Sequence, residues 1–88
     1  MRGTRVPDRP ELAVYLKPGE YGKDTYLKAW VARPPDCEGI ANLQLHTVEE
    51  QPDGTITVIP SILLRWRQAD GTRQEWHGYL EAGEWRKL

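Results

Sequence analysis

Few residues in this 88-residue chain are of types that carry out reactions, and their neighbours decide what they can do. Cys37 with His46 or His77 would make a nucleophile and a base. A thiol becomes reactive when nearby positive charge or a held base lowers its pKa. Cys37 lies in PPDCEG between Asp36 and Glu38, whose negative charge raises a thiol pKa instead. It reads as an ordinary loop cysteine. A metal site needs three or four ligands on rigid supports. One cysteine and two histidines on separate stretches lack the close-spaced pair such a site is built from, so no metal and no cofactor is expected. His46 is expected to pack against Pro60 instead. Adjacent residues on a strand point to opposite faces, so Glu49 and Glu50 cannot form a dyad. Asp36 with Glu38 and Glu81 with Glu84 read as solvated charge. No catalytic residue is assigned, and the chain is expected not to be an enzyme.

The stretch RWRQADGTRQEWHGY is the best candidate for recognition. Arg65, Arg67 and Arg73 alternate with Trp66, Trp76, His77 and Tyr79, the side chains that stack on bases and grip phosphates. Three arginines against Asp70 and Glu75 leave it only one net positive charge. The whole chain has 12 basic and 13 acidic residues, a net charge of −1, which argues against a dedicated phosphate-backbone binder. The candidate binding surface is Arg65, Arg67, Arg73, His77 and Tyr79, facing either protein or single-stranded nucleic acid.

These side chains must be held by strands. In Thr55 to Arg67, TITVIPSILLRWR, every even position from Ile56 to Trp66 is apolar, and most odd ones are polar. A period of two with many β-branched residues predicts a half-buried strand. Asp53-Gly54 and Asp70-Gly71 bracket it as turns. A three-residue loop closed by Gly71 sets Leu64 against Trp76, Ile62 against Gly78 and Arg65 against Glu75. A two-residue loop would set Leu64 against His77 and mix core with charge, so the first register is expected. Trp66 and Trp76 then face inward. The same loop at Gly54 pairs Val48 with Val58. It also sets Leu43 and Leu45 beside Ile59 and Leu63, an apolar excess on the second face that suggests self-association. Thirteen residues would span about 40 Å, too long for a domain of roughly 12 Å radius of gyration. The strand must coil or break, and Pro60, which has no amide proton, marks the expected bend.

Elsewhere the pattern predicts a flexible arm or extended lead-in over residues 1–10 and a single β domain over 11–88. Glu11 to Leu16 reads as a first strand and Pro18-Gly19 as a turn, with Gly22 and Asp24 extending the loop. Thr25 to Arg33 and Ala41 to Glu50 read as strands, separated by a Pro34 to Gly39 loop. A final strand carries Trp85 after a turn at Ala82-Gly83. The segment MRGTRVPDRPE has charge but no apolar run, so neither a signal peptide nor a membrane span is expected. One cysteine suits a reducing compartment, and an intracellular location is expected.

The pattern DGTITVIPSILL, followed by a turn and WHGYLEAGEW, resembles a group of small proteins encoded in bacteriophage and prophage genomes. They share a D-G-T-x-x-x-x-P-S-I-L strand and a later W-H-G-Y-L-x-x-G-x-W. WVARPPDCEGIANLQLHTV is also similar to the segment before these motifs, so the likeness covers roughly residues 28–88. Some proteins with a similar P-S-I-L strand carry cysteine pairs suggestive of zinc; with Cys37 alone, that role does not carry over. The resemblance implies a genomic setting and transfers no catalytic residue. The expected molecule is therefore an all-β antiparallel meander of five or six strands, curled towards an open barrel with little or no helix. The expected function is that of a non-catalytic phage or prophage accessory protein that binds another protein or its own copy. Single-stranded nucleic-acid binding and an enzyme are the alternatives.

Overall fold

The computed structural model describes residues 1–88, with a radius of gyration of 12.2 Å. It is a small all-β protein built from three sheets and one helical turn. The central element breaks where the missing amide requires it. β6 (Ile56–Ile59) ends at the cis Ile59–Pro60 peptide and β7 (Ile62–Arg67) begins two residues later. β6 pairs with β5 (Thr47–Glu50), with Val48 opposite Val58. β7 pairs instead with β8 (Arg73–Glu81), which also pairs with β9 (Glu84–Lys87). The β7–β8 register sets Leu64 against Trp76, Ile62 against Gly78 and Arg65 against Glu75, as expected.

Both Asp-Gly reversals are closed the same way. Gly54 and Gly71 sit at φ 86° and 87°, a region open to glycine, and donate to Gln51 O and Gln68 O at 2.9 Å each. Asp53 accepts from Thr55 N at 3.0 Å, and Asp70 from Thr72 N at 2.8 Å. Hydrogen bonds from the Thr55 and Thr72 side chains first, and then from these amides, hold both carboxyls below their ordinary pKa.

The even positions of β7 and β8, with Trp85 of β9 opposite Leu80, form one wall of the main core. Ile62, Trp76, Leu80 and Trp85 are buried there with Tyr21, Ile56 and Val58 from the other sheets and Leu43 from the loop after β4. Trp76 and Trp85 meet edge to face at 5.4 Å, a geometry contributing about 1 kcal/mol beyond area burial. Trp85 Nε1 donates to Gly19 O at 3.0 Å, which satisfies a buried indole.

Several expectations need correction. The chain is neither a single meander nor a barrel, and one of its strand pairs is parallel. β1 (Thr4–Arg5) lies parallel to β2 (Glu20–Asp24), which pairs with β3 (Ala29–Ala32) and then β4 (Ala41–Asn42). Residues 1–10 are therefore strapped to the domain rather than standing off as an arm. Gly3 N donates to Gly83 O at 2.7 Å, Val6 N to Tyr21 O at 2.9 Å and Arg9 N to Lys23 O at 3.2 Å. Gly22 is part of a strand and not of a loop. A Cβ there would come within 2.8 Å of Leu12 Cδ2 and 2.9 Å of Val6 O, so glycine serves close packing.

Glu11 to Leu16 contains a helical turn, α1 (Leu12–Tyr15), in place of a strand. Leu12 and Leu16, four apart, pack with Val31 in a second small core. The cause lies outside the segment. Asp24 is buried and accepts from four backbone amides: Glu11, Tyr26 and Leu27 on Oδ1, and Ala13 on Oδ2. One carboxylate thus ties the start of α1 to the turn after β2. That turn occupies Thr25 to Lys28, so only the end of the expected Thr25 to Arg33 strand is extended. Ala41 to Glu50 is likewise split. Gln44 N bonds Asn42 Oδ1 at 2.9 Å and His46 N bonds Leu43 O at 2.9 Å, turning the chain between β4 and β5.

Candidate functional site

Period-two alternation and the register together decide which side chains share the outer face of the hairpin. On β8 the even residues Trp76, Gly78 and Leu80 point to the core, leaving Arg73, Glu75, His77, Tyr79 and Glu81 outward. On β7 the outward residues are Leu63, Arg65 and Arg67. The five candidate binding residues, Arg65, Arg67, Arg73, His77 and Tyr79, therefore lie on one face. They do not form one pocket.

At the hairpin tip Arg67 stands opposite Arg73, and neither has a carboxylate within ion-pair distance. Arg65 is engaged by Glu75 at 3.1 Å, an exposed pair of little energetic weight. Arg65, Arg67 and Arg73 surround a shallow hollow of about 300 Å³ beside half-buried Trp66. Trp66 lies against Gly39, where a Cβ would sit 3.1 Å from its Cε3. Its Nε1 is buried without a hydrogen-bond partner.

At the other end Tyr79 belongs to a groove of about 350 Å³ at the β6–β7 break. Ile59, Pro60, Ser61, Glu81 and Arg86 also line it. Arg86 stands opposite Tyr79 on β9 with its guanidinium 5.1 Å from the ring centroid, and it also pairs with Glu81. Sequence reasoning did not reach Ser61 and Arg86, and it read Glu81 only as solvated charge. The signal for Arg86 was the Ala82-Gly83 reversal, which sets residue 86 against 79.

His77 lies between these ends, opposite Leu63, and its Nε2 is hydrogen-bonded to Ser61 Oγ at 3.0 Å. That is the spacing of a nucleophile and its base, but an activated serine also needs the imidazole oriented from behind. No side chain hydrogen-bonds His77 Nδ1. His46 donates from Nε2 to Ser61 O at 3.3 Å, and its Nδ1 is buried without a partner. Cys37 is buried, its Sγ 3.5 Å from Gly39 O. Burial first, then Glu38, pushes its thiol pKa up, so desolvation does more than the flanking charge expected from sequence. No group of three or more His, Cys, Asp or Glu side chains is placed to hold a metal ion.

The four residues expected to form a second apolar face divide. Leu43 is 2 % exposed and belongs to the main core, because its amide bonds Trp30 O and draws it under β3. Leu45, at the turn after it, is 95 % exposed, while Ile59 and Leu63 are 48 % and 45 % exposed. No helix is long and apolar enough to cross a membrane. Comparisons with protein-family models, with curated proteins and with solved structures gave no match.

Proposed function

We propose that this chain is a non-catalytic accessory protein of a phage or prophage setting, working in the cytoplasm of the bacterial host by binding another protein chain. The setting rests on the D-G-T-x-x-x-x-P-S-I-L and W-H-G-Y-L-x-x-G-x-W motifs. The mode of action rests on one observation: Leu45, Ile59 and Leu63 remain exposed close to the Ile59–Pro60 break. Ile59 and Leu63 flank the break, and Leu45 precedes Thr47, which pairs with Ile59. His77 and Tyr79 stand beside them on the outer face. Covering these three side chains would contribute roughly 1–2 kcal/mol each.

A photo-crosslinking substitution, Leu45→p-benzoylphenylalanine, tests this in the host cell, and sedimentation velocity of the purified chain tests self-association. A discrete protein adduct, or a dimer abolished by Leu45→Ser with Leu63→Ser, supports the proposal. A strict monomer that yields no adduct from positions 45, 59 and 63 removes it.

A second reading is favoured by the hollow at the hairpin tip, where Arg67 and Arg73 stand unpaired beside Trp66. Single-stranded nucleic acid would place phosphates there. A titration with an oligonucleotide that stays flat at low salt sinks this reading.

A further inference from the structure

In an antiparallel pair, alternate residues point their N–H and C=O groups at the partner and away from it. The bond from Gln68 N to Thr72 O sets the phase for β7 and β8: Trp66, Leu64 and Ile62 bond inward to β8. The amides and carbonyls of Leu63, Arg65 and Arg67 then point to the other side. No strand lies there, and none of these groups makes a hydrogen bond within the chain. The phase is checked independently at Ser61, whose outward carbonyl accepts from His46 at 3.3 Å. Beyond that bond, β7 offers three N–H and C=O pairs in a row, spanning roughly 14 Å.

We propose that β7 is a docking edge for an extended acidic segment of another protein, which adds as a fourth strand beside Leu63, Arg65 and Arg67. The inference rests on the reading of this hairpin as a protein-binding surface. Main-chain pairing supplies affinity and alternate side chains supply choice. On the inner face the incoming strand covers Leu64 and Trp66, both only half-buried. On the outer face it runs past Arg65 and Arg67, with Arg73 behind Arg67 and no carboxylate within ion-pair distance of Arg67 or Arg73. Alternate Glu or Asp residues match that row. A second copy does not. The antiparallel ladder that uses all three pairs on both copies centres on Arg65 and sets it against itself, which is unfavourable.

The probe is a blocked synthetic peptide of alternating Glu and Val, and the readout is residue-resolved amide exchange. In the free chain the amides of Leu63, Arg65 and Arg67 are expected to exchange fast while those of Leu64 and Trp66 are protected. Peptide at about ten times Kd slows the three edge amides about tenfold. A Lys and Val peptide, or the Glu and Val peptide N-methylated at alternate residues, leaves them unchanged. Arg67→Glu with Arg73→Glu, both exposed positions, reverses the preference between the acidic and basic peptides. The proposal is overturned if the edge amides are already protected in the free monomer, or if both peptides act alike. It is equally overturned if protection follows protein concentration alone, or if only an oligonucleotide confers it. Adducts from position 45 alongside unresponsive edge amides would remove this inference and leave the proposed function standing.

Discussion

The three-stranded sheet has two edges, and the chain treats them differently. The β9 edge is covered: Met1 and Trp85 exchange backbone hydrogen bonds at 2.9 and 2.7 Å, and Arg2 bridges to Glu84. From Leu63 to Arg67 the β7 edge is covered by no other strand, and Arg65 and Arg67 project from it. An open edge is an aggregation hazard that charged residues blunt. One edge is thus closed by the chain's own backbone, and the other is guarded by charge while staying available. Where the N-terminal strap lies marks which side of the sheet is structural.

The largest effect on this contrast comes from breaking the sheet that both edges share. A Cβ at Gly78 would overlap the Arg86 carbonyl and lie 2.7 Å from Trp76 Cη2. Gly78→Val is expected to cost about 3 kcal/mol by overpacking, with urea denaturation showing the loss and both edges failing together. Asp24→Ala strikes the opposite sheet by orphaning four amides, and should lower Tm on the order of 10 °C. Burial alone would raise the Asp24 pKa, but the bonds from Leu27, Ala13, Glu11 and Tyr26 outweigh it and hold it low. A lowered folded pKa stabilises above the unfolded value and is lost as pH falls through the folded one. Acid unfolding should therefore begin below about pH 4, and Asp24→Asn should flatten that limb of the stability curve.

Lifting the strap comes next. A Cβ at Gly3 would sit 2.7 Å from Trp85 Nε1 and 3.0 Å from Gly19 O. Gly3→Val should cost about 2 kcal/mol and speed exchange of the Trp85 amide, making the β9 edge resemble β7 without changing the β7 amides. The smallest effect concerns the guard itself. Arg67→Glu replaces a cross-strand repulsion with an attraction to Arg73 and should stabilise by about 0.3 kcal/mol. A loss of stability in thermal melts would show that Arg67 packs rather than repels.

The hairpin geometry was legible in the sequence because its information is local. Asp53-Gly54 and Asp70-Gly71 specify loops that hold register, and alternation from Ile56 to Trp66 then assigns every side chain to a face. Pro60, lacking an amide, marked the break. The first forty residues were less legible. Glu11 to Leu16 and Gly22 to Asp24 were misread because a distant carboxylate and a close helix–strand contact control them, and short windows contain neither. Leu43 left the expected apolar face for the same reason, since a bond to Trp30 turns it inward.

Turn chemistry and a period of two, both carried by neighbours in the chain, were enough for the sequence to specify a β protein with a broken central strand and an arginine-bearing outer face. Which edge of that sheet would be covered depended on where residues 1–3 come to lie, and only the assembled tertiary structure decides that. Backbone hydrogen bonds between residues more than eighty positions apart leave no periodic trace, because the main chain offers the same donor and acceptor at nearly every residue.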